Sequence, residues 1–143
     1  MTIRDIEAEL PWGFHDAYLE RLEIDWMRRA VTADIRVMMS ERQDFDRRGR
    51  LSVSGLAFVV IDPPVQAGDW EDGIWIDSDE ISTTGSVDVP TVPSGYFLHR
   101  FFAHSMGASI FICARGATFD WLESAPSSAR APSRALFPGD STV

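Results

Sequence analysis

Apolar and polar residues alternate through residues 18–39, and this alternation is the clearest structural signal in the chain. Leu22, Ile24 and Trp26 are separated by charged residues, and residues 31–39 repeat the pattern after a short break. A period of two places successive side chains on opposite faces of a β-strand, one face buried and one in water. Two such runs joined by a short polar connection predict an antiparallel hairpin.

Further strand-like segments follow. Residues 51–61 alternate at first and then become continuously apolar, which predicts a central strand covered on both faces, with a bulge at Gly55. Shorter or aromatic runs predict additional strands at residues 73–77, 80–89, 96–103, 108–115 and 118–122, the last of them at an edge. Residues 2–10 predict one short helix, with Thr2 as its N-cap and Asp5 near the capping-box position.

Many strands and at most one short N-terminal helix predict a mainly β fold. We expect an antiparallel sheet that forms a sandwich or an open barrel. The length of 143 residues is typical of one domain, which we assign to residues 1–123. Residues 124–143 are rich in Ser, Ala, Pro and Arg, and we expect them to be a disordered tail.

Charge and cysteine content narrow the functional classes. The chain has 22 acidic and 13 basic residues, for a net charge of −9. This balance argues against nucleic-acid binding, which needs clustered positive charge, and permits a protein partner with a basic surface. One cysteine and an N-terminus without an apolar run favour the cytoplasm, and no apolar run is long enough for a membrane span. The oligomeric state is left open.

Residues with catalytic potential are few. His99 and His104 are five positions apart, which within one strand places them on opposite faces, and neither an HxH nor an HExxH spacing occurs. We therefore expect no metal, no cofactor and no assigned catalytic residue. Cys113 is flanked by apolar residues, as inert core cysteines usually are. An enzyme would have to use His15, Asp16, His99 or Cys113.

Residues 69–80, DWEDGIWIDSDE, combine six acids with two tryptophans. Their spacing does not match a calcium-binding loop, and nothing selects two of the acids as a glycosidase pair. Two interpretations of this segment remain, a solvated acidic face and a partner-binding surface. Trp70, which lies among the acidic residues, would suit a binding hot spot. The candidate partner-binding residues are Asp69, Trp70, Glu71, Asp72, Asp77, Asp79 and Glu80.

The segment WGFHD, residues 12–16, is the other distinctive motif. It precedes the first alternating strand and predicts a turn rich in aromatic groups. We expect Asp16 to accept backbone N–H groups in this turn and His15 to pack between Trp12 and Phe14. Trp12, Phe14, His15 and Asp16 are therefore interpreted as a structural motif.

The same motif carries a family resemblance. The resemblance rests on residues 14–17 (FHDA), Leu22, Ile24, Asp25, residues 31–37, residues 51–61 and the late IFICARG segment. This pattern resembles several uncharacterised bacterial β-sheet families, some of which are immunity proteins of polymorphic toxin systems. The resemblance implies a small acidic domain that binds and neutralises a toxin, and it supplies no catalytic residues.

Three functional hypotheses follow from the sequence. The first, which we favour, is a non-enzymatic protein-binding domain, in particular an immunity protein that uses its acidic surface. The second is a small-ligand-binding barrel or sandwich with Tyr96, Phe97, Phe101 and Phe102 around a cavity. The third is an enzyme that uses His15, Asp16, His99 or Cys113.

Overall fold

A computed structural model describes residues 1–40, 45–65, 73–81 and 88–122. Within these ranges the elements are α1 (Ile3–Glu7), β1 (Ala17–Asp25), β2 (Ala30–Met38), β3 (Asp46–Ser54), β4 (Phe58–Ile61), β5 (Ile74–Glu80), β6 (Phe97–Ala103), β7 (Ala108–Ala114) and β8 (Gly116–Trp121). The strands form one sheet in the order β4-β7-β6-β5-β1-β2-β3-β8, with every neighbouring pair antiparallel. Because β4 and β8 are ends of this order, the sheet is open. The predicted mainly β fold with one short helix is confirmed.

The N-terminal helix begins with the capping box that the sequence predicts. The Thr2 hydroxyl accepts the Asp5 N–H at 3.1 Å, and the Asp5 carboxylate accepts the Thr2 N–H at 2.8 Å. These hydrogen bonds from Thr2 hold the pKa of Asp5 below its usual value. Helix α1 ends at Glu7, earlier than predicted, and buries Ile3 and Ile6.

The predicted hairpin is confirmed as β1 and β2. An irregularity between Leu19 and Arg21 adds one residue to β1, because Leu19 lies opposite Ile35 and Arg21 lies opposite Asp34. Such a bulge shifts the alternation by one position. After it, the apolar residues of β1 again face the core.

The prediction of one central strand over residues 51–61 was wrong. β3 ends at Ser54, and Gly55, with φ of +65°, turns the chain away so that β4 pairs with β7 at the opposite end of the sheet. Although β4 is an edge strand, both its faces meet apolar groups. Val59 packs on the main core, while Phe58 and Val60 pack on a second cluster. Two-sided contact therefore explains the apolar run without a central position, and the strand buried at every residue is β7.

The remaining strand predictions agree with the structure except at residues 80–89. β5 runs from Ile74 to Glu80, Ile81 lies outside any strand, Asp88 and Val89 lie in a bend, and residues 82–87 lie outside the described residues. The strands predicted at 96–103, 108–115 and 118–122 correspond to β6, β7 and β8. The predicted tail also lies outside the described residues. Within those that are described, no helix has the length and apolar character needed to cross a membrane.

Phe14 shows that the sheet is strongly curved. Its ring is fully buried and lies 6.1 Å from the ring of Phe101 in β6 and 5.8 Å from that of Phe119 in β8, measured between centroids. These strands are five places apart, and at about 4.8 Å per strand a flat sheet would separate them by about 24 Å. The sheet therefore wraps around the turn that carries Phe14.

The absence of a side chain at Gly49 makes room for the ring of Phe119 in this core. Gly49 lies within β3, opposite Ile35 and Trp121. A Cβ atom at Gly49 would come within 2.0 Å of the Phe119 ring. The aromatic ring therefore fills the space that a side chain would otherwise occupy.

We expect Gly49→Ala to lower the free energy of unfolding by about 1–3 kcal/mol, the usual cost of overpacking a core. The added methyl group would displace Phe119 from its contact with Phe14. Gly116→Ala is a matched control, because the nearest atom to its Cβ lies at 3.8 Å, an ordinary contact. Urea denaturation of both variants measures the difference, and equal stability of the two would contradict this account of Gly49.

Candidate functional site

The register of the sheet brings two distant turns to the same strand. β1 and β5 pair with Ala17 opposite Ile76, so that Asp16, just before β1, comes beside Asp77. On the other side of β5, the backbone N–H of His104, just after β6, donates to the Trp75 carbonyl at 3.0 Å. We call the resulting surface cluster the β5 patch, made of His15, Asp16, Trp75, Asp77 and His104.

Asp77 is the centre of the β5 patch. Its Oδ1 atom contacts His15 Nδ1 and accepts the backbone N–H of Asp16 at 3.2 Å, and its Oδ2 atom lies 2.7 Å from His104 Nε2. Partial burial acts to raise the pKa of Asp77, but the hydrogen bonds from His104, Asp16 and His15 and the charge of His15 outweigh burial and lower it. Asp77 is therefore an anion at neutral pH, fixed at both oxygens.

Trp75 is held firmly although 42% of it is exposed. Its Nε1–H donates to Asp16 Oδ1 at 2.9 Å, and its ring lies 4.5 Å from the His104 ring at 34°. Phe102 in turn meets the His104 ring edge-on at 5.2 Å. The indole therefore presents apolar surface to solvent from a single, supported orientation.

The turn before β1 separates its side chains by role. Phe14 enters the core, whereas the His15 side chain is 62% exposed and contacts the carboxylates of Asp16 and Asp77. Asp16 adopts a left-handed conformation with φ of +56°, which aspartate tolerates better than most residues. Trp12 is exposed in the same turn. Residues 12–16 therefore serve both the core and the surface.

The acidic residues predicted for partner binding are divided. Asp69, Trp70, Glu71 and Asp72 lie outside the described residues. Asp77 belongs to the β5 patch, Asp79 accepts two hydrogen bonds from Arg100 at 3.0 and 3.1 Å, and Glu80 lies 3.2 Å from Arg4 Nη1. The described carboxylates of this set are thus all engaged in ion pairs within the chain.

His99 belongs to a separate, buried group. It is 1% exposed, and its Nε2 atom lies 2.5 Å from Ser78 Oγ and 3.2 Å from Glu7 Oε1. Ser78 also donates to Glu7 at 3.0 Å. Because Asp77 and Ser78 are consecutive in a strand, they point to opposite faces. His99 therefore does not converge with His15 and Asp16.

Cys113 and His99 also do not form a dyad. In the pairing of β6 with β7, Leu98 lies opposite Cys113 and His99 lies opposite Ile112. Directly opposed residues share a face, so Cys113 and His99 point to opposite faces of the sheet. Burial raises the pKa of the Cys113 thiol to about 11, which leaves it protonated and unreactive at neutral pH.

Glu7 joins the helix, the turn and the sheet. One of its carboxylate oxygens accepts the backbone N–H of Phe14 at 2.9 Å, and the other accepts the Ser78 hydroxyl. Gly13 makes this approach possible, because its φ is +56° and a Cβ atom there would lie 2.8 Å from Glu7 Oε2. The arrangement has the residue types of a hydrolytic triad but not its geometry, because Ser78 and Glu7 both lie at His99 Nε2, whereas a triad places them at opposite ring nitrogens. The contacts connect α1 to β5.

Within the part of the chain that the structure describes, the four aromatic residues proposed for a ligand cavity lie in different surroundings. Phe101 packs on Phe14, and Phe102 packs on His104. Tyr96 and Phe97 line an open groove of about 350 Å³ near Arg115. A second groove, of about 390 Å³, lies between α1 and the β8 edge and is lined by Met1, Ile6, Glu9, Leu10, Pro11, Met39, Arg47, Phe119 and Trp121.

Sequence reasoning identified His15, Asp16 and Asp77 separately and missed their contact. Trp75 was assigned only to a short strand, and His104 was considered only in relation to His99. The contacts between residues 15–16 and 75–77 join positions about sixty apart in the chain. Local periodicity carries no information about pairing at that distance in the chain, so the alternation of apolar and polar residues could not predict these contacts.

Comparisons with known proteins do not place the chain in a family. No protein-family model and no curated protein matches the chain. The chain is similar to a solved structure, an uncharacterized protein from Neisseria gonorrhoeae, at 16% identity and a TM-score of 0.43. That similarity covers 75% of this chain and 92% of the other.

We expect Glu7→Ala to lower the free energy of unfolding by about 1–3 kcal/mol, because it leaves buried donors without an acceptor. Glu9→Ala, in an exposed position just after α1, is the control and should change stability by less than about 0.5 kcal/mol. Urea denaturation followed by tryptophan fluorescence measures both. Similar stabilities for the two variants would show that Glu7 does not tie α1 to the sheet.

Cys113 should react with a thiol reagent only when the chain unfolds, because its pKa is raised and its side chain is buried. At about pH 8, near the ordinary cysteine pKa, the reaction rate should rise steeply across the urea transition. A folded protein that reacts as fast as the unfolded chain would contradict the assignment of Cys113 to the core.

Proposed function

We propose that this protein is a non-enzymatic protein-binding domain and that the β5 patch is its contact surface, with Trp75 as the anchor. The observation that carries the proposal is the fixed orientation of this exposed indole, which is hydrogen-bonded by Asp16 and stacked on His104. Tryptophan is among the residues most often found at binding hot spots. A side chain that is already ordered loses less conformational entropy when a partner covers it.

The charge of the chain supports a basic partner. The net charge of −9 would accelerate the approach of a positively charged surface. Near Trp75, the carboxylates of Asp16 and Asp77 keep the patch acidic beside the two histidines. Asp79 and Glu80 already have cationic neighbours within the chain, so we assign them a role in long-range attraction and Trp75 the main contact.

The finer proposal is that the partner is a toxin, so that the protein acts as an immunity protein. This step rests on the resemblance of residues 12–116 to bacterial β-sheet families that include immunity proteins. The single cysteine supports the cytoplasm as the compartment. Neutralisation of a toxin requires occlusion of its active surface, a task that needs no catalytic group.

The test measures binding to the proteins encoded beside this gene, each purified and titrated against the full chain by calorimetry. Trp75→Ala should weaken binding by about 30-fold or more, the effect of a hot-spot residue. Trp26→Ala is the matched control, because Trp26 is 63% exposed in the β1–β2 turn, outside the β5 patch. An unchanged affinity for Trp75→Ala would remove the β5 patch as the contact surface. A lack of binding to every neighbour-encoded protein would contradict the toxin proposal.

A further inference from the structure

Three side chains of the β5 patch place metal-ligating atoms close together. His15, Asp16 and Asp77 each offer one ligand atom, and these atoms all lie within 4.8 Å of one another. No metal-ligand spacing is visible along the chain, because the third residue comes from β5, sixty-one positions after Asp16. We infer that His15, Asp16 and Asp77 form a binding site for a transition-metal dication of the Zn²⁺ type.

The set of donors determines the class of metal. One imidazole nitrogen and two carboxylate oxygens suit Zn²⁺ and neighbouring first-row dications, whereas Ca²⁺ takes six to eight oxygen ligands. Two carboxylates also balance the charge of a dication. The donor set therefore favours Zn²⁺ over Ca²⁺ and Mg²⁺.

The distances fit a small coordination sphere. Bonds of about 2.1 Å arranged tetrahedrally place ligand atoms about 3.4 Å apart. His15 Nε2 and Asp16 Oδ2 are separated by 3.4 Å. Asp77 Oδ1 contacts the other ring nitrogen, Nδ1, so binding of one ion by all three residues requires the His15 ring or the Asp77 carboxylate to rotate. The His15 side chain is 62% exposed, so this side of the site is open to solvent.

Residues behind the ligands already hold them in position. Asp16 accepts the Trp75 Nε1–H through Oδ1, and Asp77 contacts His104 through Oδ2. Second-layer contacts of this kind orient ligating side chains, and their loss usually lowers metal affinity 10- to 100-fold. His104 is thus a positioning residue for Asp77, itself supported by the rings of Trp75 and Phe102.

The competing account is a plain ion pair, with a protonated His15 between the carboxylates of Asp16 and Asp77. That arrangement needs no metal and explains the same contacts. The two accounts differ in their response to added Zn²⁺ or Co²⁺. Metal binding is a property of the isolated chain and does not depend on the proposed partner, so the failure of either proposal would be recognised separately.

The experiment titrates the tag-free full chain with Zn²⁺ by calorimetry and with Co²⁺ by visible absorption. We expect one ion per chain, and Co²⁺ d–d bands of the intensity typical of four- or five-coordinate sites. His15→Ala and Asp77→Asn should each lower the affinity at least tenfold, and His104→Gln should lower it about 10- to 100-fold. Asp79→Asn is the matched control, since Asp79 lies two residues along the same strand, and its affinity should equal that of the wild type.

Circular dichroism of each variant confirms that it folds, and Asp16→Asn provides a further test because asparagine also tolerates the left-handed conformation of that turn. It should weaken Zn²⁺ binding without loss of folding. The inference is overturned if the wild type fails to bind Zn²⁺ at millimolar concentration, if His15→Ala binds like the wild type, or if Asp79→Asn loses as much affinity as Asp77→Asn. Equal affinity for Ca²⁺ and Zn²⁺ would also overturn it.

Discussion

The packing of Phe14 is the contact on which the rest of the molecule depends. A single buried ring touches Phe101 and Phe119, which come from strands five places apart in an open sheet. The sheet can satisfy both contacts only by curving around the turn. This curvature of the sheet creates a concave space, which α1 fills with Ile3 and Ile6. The core is therefore organised around one residue of a turn and not around two stacked sheets.

The same turn links the core to the surface. Phe14 points inward and His15 points outward, while the backbone N–H of Phe14 is held by Glu7 and that of Asp16 by Asp77. The position of the β5 patch is therefore set by the packing of the core. Since Asp77 and Ser78 follow one another in β5, one strand supplies both the surface cluster and the buried hydrogen-bonded group of His99.

This division separates buried from exposed polar groups. The Glu7, Ser78 and His99 side chains contact one another inside the fold through His99 Nε2, where unpaired polar groups would be costly, while the buried Nδ1 atom of His99 has no hydrogen-bond partner among the described residues. The β5 patch contains the same kinds of residue on a solvent-exposed surface, beside the exposed side chain of Trp75. Polar side chains that are fixed in solvent contribute little to stability, and their order is better suited to recognition of an ion or a partner.

The sequence by itself determined the elements whose signals are local. Alternation in residues 18–39 fixed the hairpin and its faces, and Thr2 with Asp5 fixed the start of α1, because these features depend on neighbours a few positions apart. The prediction of a central strand at residues 51–61 was wrong, since an apolar run indicates contact on two faces and does not indicate the position of a strand in the sheet. Only the tertiary structure decided how the strands beyond the hairpin pair. The approach of His15 and Asp16 to Asp77 follows from the register of β1 against β5, which is set by long-range packing around Phe14 and leaves no trace in local periodicity.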